Sequence, residues 1–394
     1  MTATINPSNG RRRASMARIV EAELFEVRAA FAKPYSLAKS YGTFTTTCAV
    51  ILKLTDADGV VGWGEANPMQ PFTVESPRDS RDVLREQLLP AVFAETLPEP
   101  GAIDLMLDGL RSDHLCAKGA VSMALLDVMG KRLGVPVTTL LGGAIHASLP
   151  VLWPLGTGTA DDDCAVIEEK AAAGFGSFML KMGAAPVRDE IRRVETLAAR
   201  YGERFKLIAD ANQGWDLEEA RVFLAGVKGM PLAFVEQPVA KADFDGMAIL
   251  AKSSAFPISA DESLTGLSEA ARLAAIGAAN IFSVKSSKNG GPLRAQRIGT
   301  VAQAFGIRCY MNSMLEFGIT QAASLQHAAT TPNLFDAGHA YMSTLRLAED
   351  PTDFSSFVSD GRVSVPSGAG LGIEVDEAHV RRLAVVTDRL RAAD

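Results

Sequence analysis

Six side chains in the middle of the sequence have types and spacing that could do acid–base chemistry: Lys181, Asp210, Glu236, Asp261, Lys285 and Asn312, with Glu316 close behind. Each ends or closely follows a short apolar run. A fold that gathers the run ends in one place therefore gathers three carboxylates bracketed by two lysines. A lone Asp or Glu after a strand commonly caps the next helix, and a lone Lys there is commonly a solvated rim residue. Three converging carboxylates repel one another, so something positive must sit among them. An all-oxygen ligand set without His or Cys suits Mg²⁺, tolerates Mn²⁺ and is poor for Zn²⁺. The histidines, at 114, 146, 327, 339 and 379, lie off the run ends apart from His339, and they read as structural or surface residues. A lysine shielded from water and crowded by a cation loses proton affinity and can act as a base near neutral pH. The cation would hold the charge that builds on a carboxylate as the neighbouring proton leaves. The pattern points to proton transfer at the carbon α to a carboxylate, through an enediolate-like intermediate.

The elements that must position these residues begin near Leu149. Apolar runs "LPVLW", "SFMLK", "KLIAD", "AFVE", "PISAD", "NIFSVK" and "IRCYMN" alternate with helical stretches such as "RDEIRRVETLAARYG" and "PLRAQRIGTVAQAFG". Their ends from Lys181 onward recur every 24 to 29 residues, a fitting length for one strand–helix unit. Seven units and a weaker eighth near "NLFDAG" predict an α/β fold of the (β/α)8 TIM-barrel type, whose chemistry sits at the C-terminal strand ends. No Gly-rich phosphate fingerprint follows the first run, which removes the main support for a dinucleotide-binding sheet. Before the barrel, "IVEAELFEV" and a hairpin around "DADG" lead into helices over Ser80–Phe93 and "AKGAVSMALLDVMGKRLG", the last stopped by Gly134 and Pro136. Strands first and helices second predict a small α+β domain. The expected divisions are a disordered tail over 1–16, an N-terminal α+β capping domain over 17–147, the barrel over 148–356, and a segment over 357–394. That last segment reads as a hairpin-like pair and a final helix returning to the capping domain.

At 394 residues the chain exceeds one ordinary core. A net charge of −7 argues against nucleic acid as the main partner. No stretch approaches the roughly 18 uninterrupted apolar residues of a membrane span, and no apolar core follows "RRR", so a secretory signal is not expected. Cys48, Cys116, Cys164 and Cys309 are scattered without metal spacing, so they read as reduced packing residues of a cytoplasmic protein. The expected partners are a small-molecule carboxylate substrate and further copies in a homo-oligomer, with no nucleic acid and no membrane.

The motifs "ADANQGWD" (209–216), "VEQPV" (235–239), "SADESL" (259–264) and "VKSSKNGG" (284–291) stand in an order and spacing that resemble the enolase superfamily. Within it the chain is similar to the muconate-lactonizing-enzyme-like subgroup of the mandelate racemase/muconate lactonizing enzyme family, over nearly its whole length. The resemblance implies an enolase-like modified barrel under a capping domain. It makes Asp210, Glu236 and Asp261 the Mg²⁺ ligands and Lys181 and Lys285 the acid/base pair. Asn212 and Glu262 become supporting groups, and Glu316 the acidic residue after the seventh strand. Loops around 37–44 and 62–68 would close over substrate. Tyr41, Phe44 and Asn312 are placed at the substrate with Trp153, which alternatively is core at the domain boundary. Lys288 reads as a loop or salt-bridge residue. Subgroup members usually carry Lys-x-Lys on the second strand, whereas here the first position is Met179, which would raise the proton affinity of Lys181 or reshape the site around a more apolar substrate. The expected function is a Mg²⁺-dependent isomerase, foremost a muconate-type cycloisomerase. Alternatives are a racemase or epimerase of an amino-acid derivative or dipeptide, an acid-sugar or hydroxy-acid dehydratase, and a catalytically dead metal-binding barrel.

Overall fold

The computed structural model describes residues 18–392; the tail expected over 1–16 lies outside them. The first strands are β1 (Ile19–Ser36), β2 (Thr43–Asp56) and β3 (Val61–Ala66), all antiparallel. The "DADG" turn joins the last two, with the Asp56 carboxylate accepting from the backbone N–H groups of Asp58 and Val60 at 2.9 and 2.8 Å. A helix over Leu115–Leu133, buried around most of its circumference, lies on β3. Gly62 and Gly64 permit that approach, since a Cβ at either would stand 2.3 and 1.9 Å from the Ala124 and Ala120 carbonyl oxygens. The helix stops at Gly134 in the left-handed conformation (φ 68°), the stop its sequence signals.

After β4 (Ser148–Pro150) come β5 (Leu152–Leu155), β6 (Ser177–Lys181), β7 (Lys206–Asp210), β8 (Leu232–Glu236), β9 (Ile258–Ala260), β10 (Ile281–Val284) and β11 (Arg308–Met311). β5 to β11 form one seven-stranded parallel sheet in sequence order. Helices between successive strands cover it, so its strands read as near-continuous apolar runs. The "NLFDAG" stretch forms no strand. Leu334 within it makes an isolated parallel bridge to Cys309 on β11, and His339 just after it makes another to Val151, directly before β5. Gly338, between the two bridges, turns left-handed (φ 83°) and interrupts the extended backbone that a strand needs.

The C-terminal segment departs from expectation in two ways. Its first part, β12 (Val358–Ser359) and β13 (Arg362–Ser364), pairs with β4 and not with the N-terminal sheet. The expected final helix covers only Glu377–Leu383, and the chain then runs extended as β14 (Ala384–Arg391), antiparallel to β1. Val385, Val386 and Thr387 are β-branched and favour a strand. Pairing also covers the free edge of β1, where Arg389 and Arg391 meet Glu21 at 2.7 and 3.0 Å.

Candidate active site

Strand register brings the run ends together. Lys181 is opposite Asp210, and Asp210 opposite Glu236. Glu236 is opposite Ser259, and Ser259 opposite Ile281, which puts Asp261 and Lys285 on the same inward face by alternation. Ser283 pairs with Tyr310, two residues before Asn312. Four non-glycine residues in the left-handed region, Asn212, Gln213, Gln237 and Leu315, lie within four residues of these strand ends. Such strain persists where the surroundings over-determine the backbone. At the end of β6, Gly183 (φ 75°) lets the chain turn away past the Ala211 carbonyl.

The charges are buried and paired. The Lys181 ammonium donates to Asp210 Oδ2. Lys285 and Lys288 each hold the Asp261 carboxylate at 2.7 Å, and Lys288 also donates to the Asp261 carbonyl. Burial alone pushes Lys181 and Lys285 down, but Asp210 beside the first and Asp261 and Glu262 beside the second overcome it and raise both. For Lys288 burial wins and its proton affinity falls. Glu236 accepts from Asn312 Nδ2 at 2.7 Å and Ser283 Oγ at 3.2 Å on one oxygen, while its other oxygen is buried without a partner. Burial and the charges of Asp210 and Asp261 hold the Glu236 carboxyl well above the carboxylate range. Glu262 is pushed up to about 8 by burial and by Asp261 and Asp210. It accepts from Tyr41 Oη at 3.1 Å and Asn212 Nδ2 at 3.4 Å.

Among the described residues no three ligating side chains converge closely enough to hold an ion as they stand; lysine ammonium groups satisfy Asp210 and Asp261 instead. The donor chemistry nevertheless fits a divalent cation. The three side chains on adjacent strands offer only oxygen, are buried, repel one another, and include the free oxygen of Glu236.

A small cavity opens in front of the lysines. Lys181, Lys285, Met179, Tyr41 and Asn312 line it, and so does Asn212, expected only as a supporting group. Glu316 sits behind the wall, buried, accepting from Ser313 Oγ at 2.8 Å and Gln321 Nε2 at 3.2 Å. Two expected substrate residues are not there. Trp153 points out of the sheet's inner face, edge-on to Phe175 and under the Lys170 ammonium at 4.1 Å, because its neighbours Leu152 and Pro154 take the inward positions. Phe44 lies in a separate depression with Phe31 and Pro77, since the strand β2 has already begun at Thr43 and carries it away from the loop.

The comparisons match this geometry. The family pattern "Mandelate racemase / muconate lactonizing enzyme, N-terminal domain" fits residues 19–142, and "Enolase C-terminal domain-like" fits residues 164–379. Muconate cycloisomerase 1 of Pseudomonas putida is 34% identical over 89% of this chain and 94% of its own length. The chain belongs to the enolase superfamily, in its muconate-lactonizing-enzyme-like subgroup. Two solved members superpose on it: the muconate lactonizing enzyme of Pseudomonas putida with a TM-score of 0.88 at 32% identity, covering 93% of this chain and all of that one, and the N-succinyl Arg/Lys racemase of Bacillus cereus with a TM-score of 0.89 at 26% identity, covering 95% and all of that one.

For this superfamily member, sequence reasoning missed several residues at the site. Tyr35 and Phe72 line the cavity, with Phe72 under the Lys285 ammonium at 4.1 Å. Nothing local marks them. Arg193 binds both Asp163 oxygens at 2.6 and 2.9 Å and donates to the Lys181 carbonyl at 2.6 Å, holding the end of β6. A signal for it existed: Arg193 shares a helical stripe with Glu190, Val194, Leu197 and Tyr201, all buried.

Proposed function

We propose that the protein is a Mg²⁺-dependent isomerase that moves a proton at the carbon α to a carboxylate, and within that class a muconate-type cycloisomerase. The observation that carries this reading is a pair of lysines, Lys181 and Lys285, on strands flanking three buried carboxylates and facing one cavity. The names of the superfamily relatives support the choice of reaction. Asp210, Glu236 and Asp261 would hold the cation, which supplies charge stabilisation for a substrate carboxylate. Lys181, as an ammonium ion, delivers the proton to the α carbon when the lactone ring closes and takes it back in the reverse direction. Lys285 stabilises negative charge from the other side, and Asn212 and Glu262 orient Asp210 and Tyr41. Met179 and the aromatic wall exclude water. The fold that supports this is a closed barrel, with the 334–339 stretch standing in for an eighth strand, capped by the N-terminal sheet. No described helix is long and apolar enough to cross a membrane, and four free thiols support a cytoplasmic setting.

Racemisation is the second reading. It needs a base on each face of the α carbon, which two opposed lysines offer, and a racemase is among the superposed relatives. Incubation with Mg²⁺ in D₂O against muconates, lactones, N-acylamino acids and dipeptides, read by NMR and mass spectrometry, separates the two. Ring closure with one deuterium at the α carbon is expected; exchange with loss of optical rotation assigns racemisation instead. Lys181→Ala should lower turnover by about 10³-fold or more, and full activity in that variant would remove Lys181 from the reaction. Asp210→Ala should abolish Mg²⁺ binding by calorimetry; binding intact would place the metal elsewhere.

A further inference from the structure

Tyr310 lines the cavity from β11, in the inward layer beneath the strand ends. It is fully buried, and its hydroxyl has no hydrogen-bond partner among the described residues. Leaving a buried hydroxyl unpaired is costly, and among the described residues Ser122, Ser259, Ser286 and Ser287 are also left so, but of these five only Tyr310 lines the cavity. The ring cannot swing away to find a partner, because it is wedged between Phe234, 5.5 Å off, and a stacked His339, 6.0 Å off. Of the polar side chains that line the cavity, Asn312 is already engaged with Glu236 and Ser283, and Tyr41 with Gln213 and Glu262. The free oxygen of Glu236 is an acceptor and suits a cation, whereas a phenol suits an oxygen of the substrate. Burial and the nearby carboxylates keep the Tyr310 proton in place, so it donates.

We propose that the Tyr310 hydroxyl is a substrate-binding group that donates a hydrogen bond to a substrate oxygen remote from the carbon that gains or loses the proton. This deepens the isomerase reading and rests on it. Leu37, Met69, Phe72, Met314 and Leu315 make much of the wall apolar, beside the hydroxyls of Tyr35 and Ser313. The ligand class is therefore a carboxylate with an apolar middle and a second oxygen function at its far end, such as a second carboxylate or a lactone oxygen. A neutral donor orients that second carboxylate without pairing its charge, which leaves it nucleophilic for ring closure.

Tyr310→Phe removes only the hydroxyl. In the full-length protein with Mg²⁺, its affinity for cis,cis-muconate should fall about 10–100-fold, the range for a lost hydrogen bond to a charged group. Affinity for sorbate, which carries a methyl group in place of the second carboxylate, should be equal in both proteins. Equal loss on both probes, or loss on neither, overturns the proposal. Without ligand, the thermal midpoint of Tyr310→Phe should match or exceed the wild type, because an unpaired buried hydroxyl has been removed; a lowered midpoint means that the phenol already had a partner and also overturns it. If the wild type binds neither probe, the muconate reading itself fails and the proposal that rests on it falls with it.

Discussion

Met179 occupies the inward position two residues before Lys181, on the same face of β6, and is 1% exposed. The lysine usual at that position in the subgroup would add a second ammonium to a space already walled by Pro154, Leu152 and Tyr310. Met179→Lys should therefore destabilise the protein by about 2–4 kcal/mol, through a buried cation without its own carboxylate. Met179→Leu conserves volume and should cost under about 1.5 kcal/mol. Urea titration of both variants checks the pair, and equal stabilities would show that a carboxylate is within reach of the new lysine. In activity assays, Met179→Leu should change KM more than kcat, as expected for a side chain that touches substrate without exchanging protons.

At the scale of elements, the loop after β11 is clamped by the N-terminal sheet. Glu65, at the end of β3, accepts from the backbone N–H groups of Phe317 and Thr320 at 2.9 Å each, capping the helix over Gly318–Ala328, which has no side-chain cap of its own. Thr47 on β2 donates to the carbonyl of Leu315 at 2.9 Å, holding that residue in its left-handed conformation (φ 67°). Ser313, Met314 and Leu315 line the cavity, so the N-terminal sheet shapes the substrate wall through this clamp. Glu65→Gln sets an amide N–H against a backbone N–H and should cost about 1–3 kcal/mol. It should also lower kcat/KM, although Glu65 does not line the cavity. Denaturant unfolding and steady-state kinetics on one preparation check both effects, and unchanged kinetics would show that the loop keeps its shape unaided.

Across the whole molecule, acid stability is set partly by two buried histidines. His327 is pushed down to about 4 by burial, and His339 to about 3 by burial with a small push from His146. The Nδ1 of His339 accepts the Met311 backbone N–H at 3.1 Å, a role open only to the neutral ring. The folded state therefore keeps both neutral while the unfolded chain protonates them below about pH 6.5. Their stabilisation is fully present above that pH and is lost as pH falls toward 4 and 3, by about 1.4 kcal/mol per pH unit for each ring. Glu65 and Glu316, raised by burial, act in the opposite sense, so the histidine share is read from a difference. The acid slope of unfolding free energy should flatten by that amount in His339→Gln relative to wild type. Identical slopes would mean that His339 protonates in the folded state.

The strand ends and their spacing were legible because a barrel strand obeys a period of two, and each apolar run closes on one polar residue at a helix-length interval. That alone placed Lys181, Asp210, Glu236, Asp261, Lys285 and Asn312 on one inward face, and the same period put Met179 beside Lys181. What the tertiary structure decided are contacts between residues far apart in sequence. Glu65 reaches Phe317 across 252 positions, and Tyr41 reaches Glu262 across 221. No local period encodes such pairs. Alternation also carried Trp153 outward and Phe44 onto a strand, once the strands had start points that their own residues left open. The unpaired hydroxyl of Tyr310 belongs to the same class: an aromatic residue in an apolar run reads as packing, and only burial without a partner marks it as a group aimed at something else.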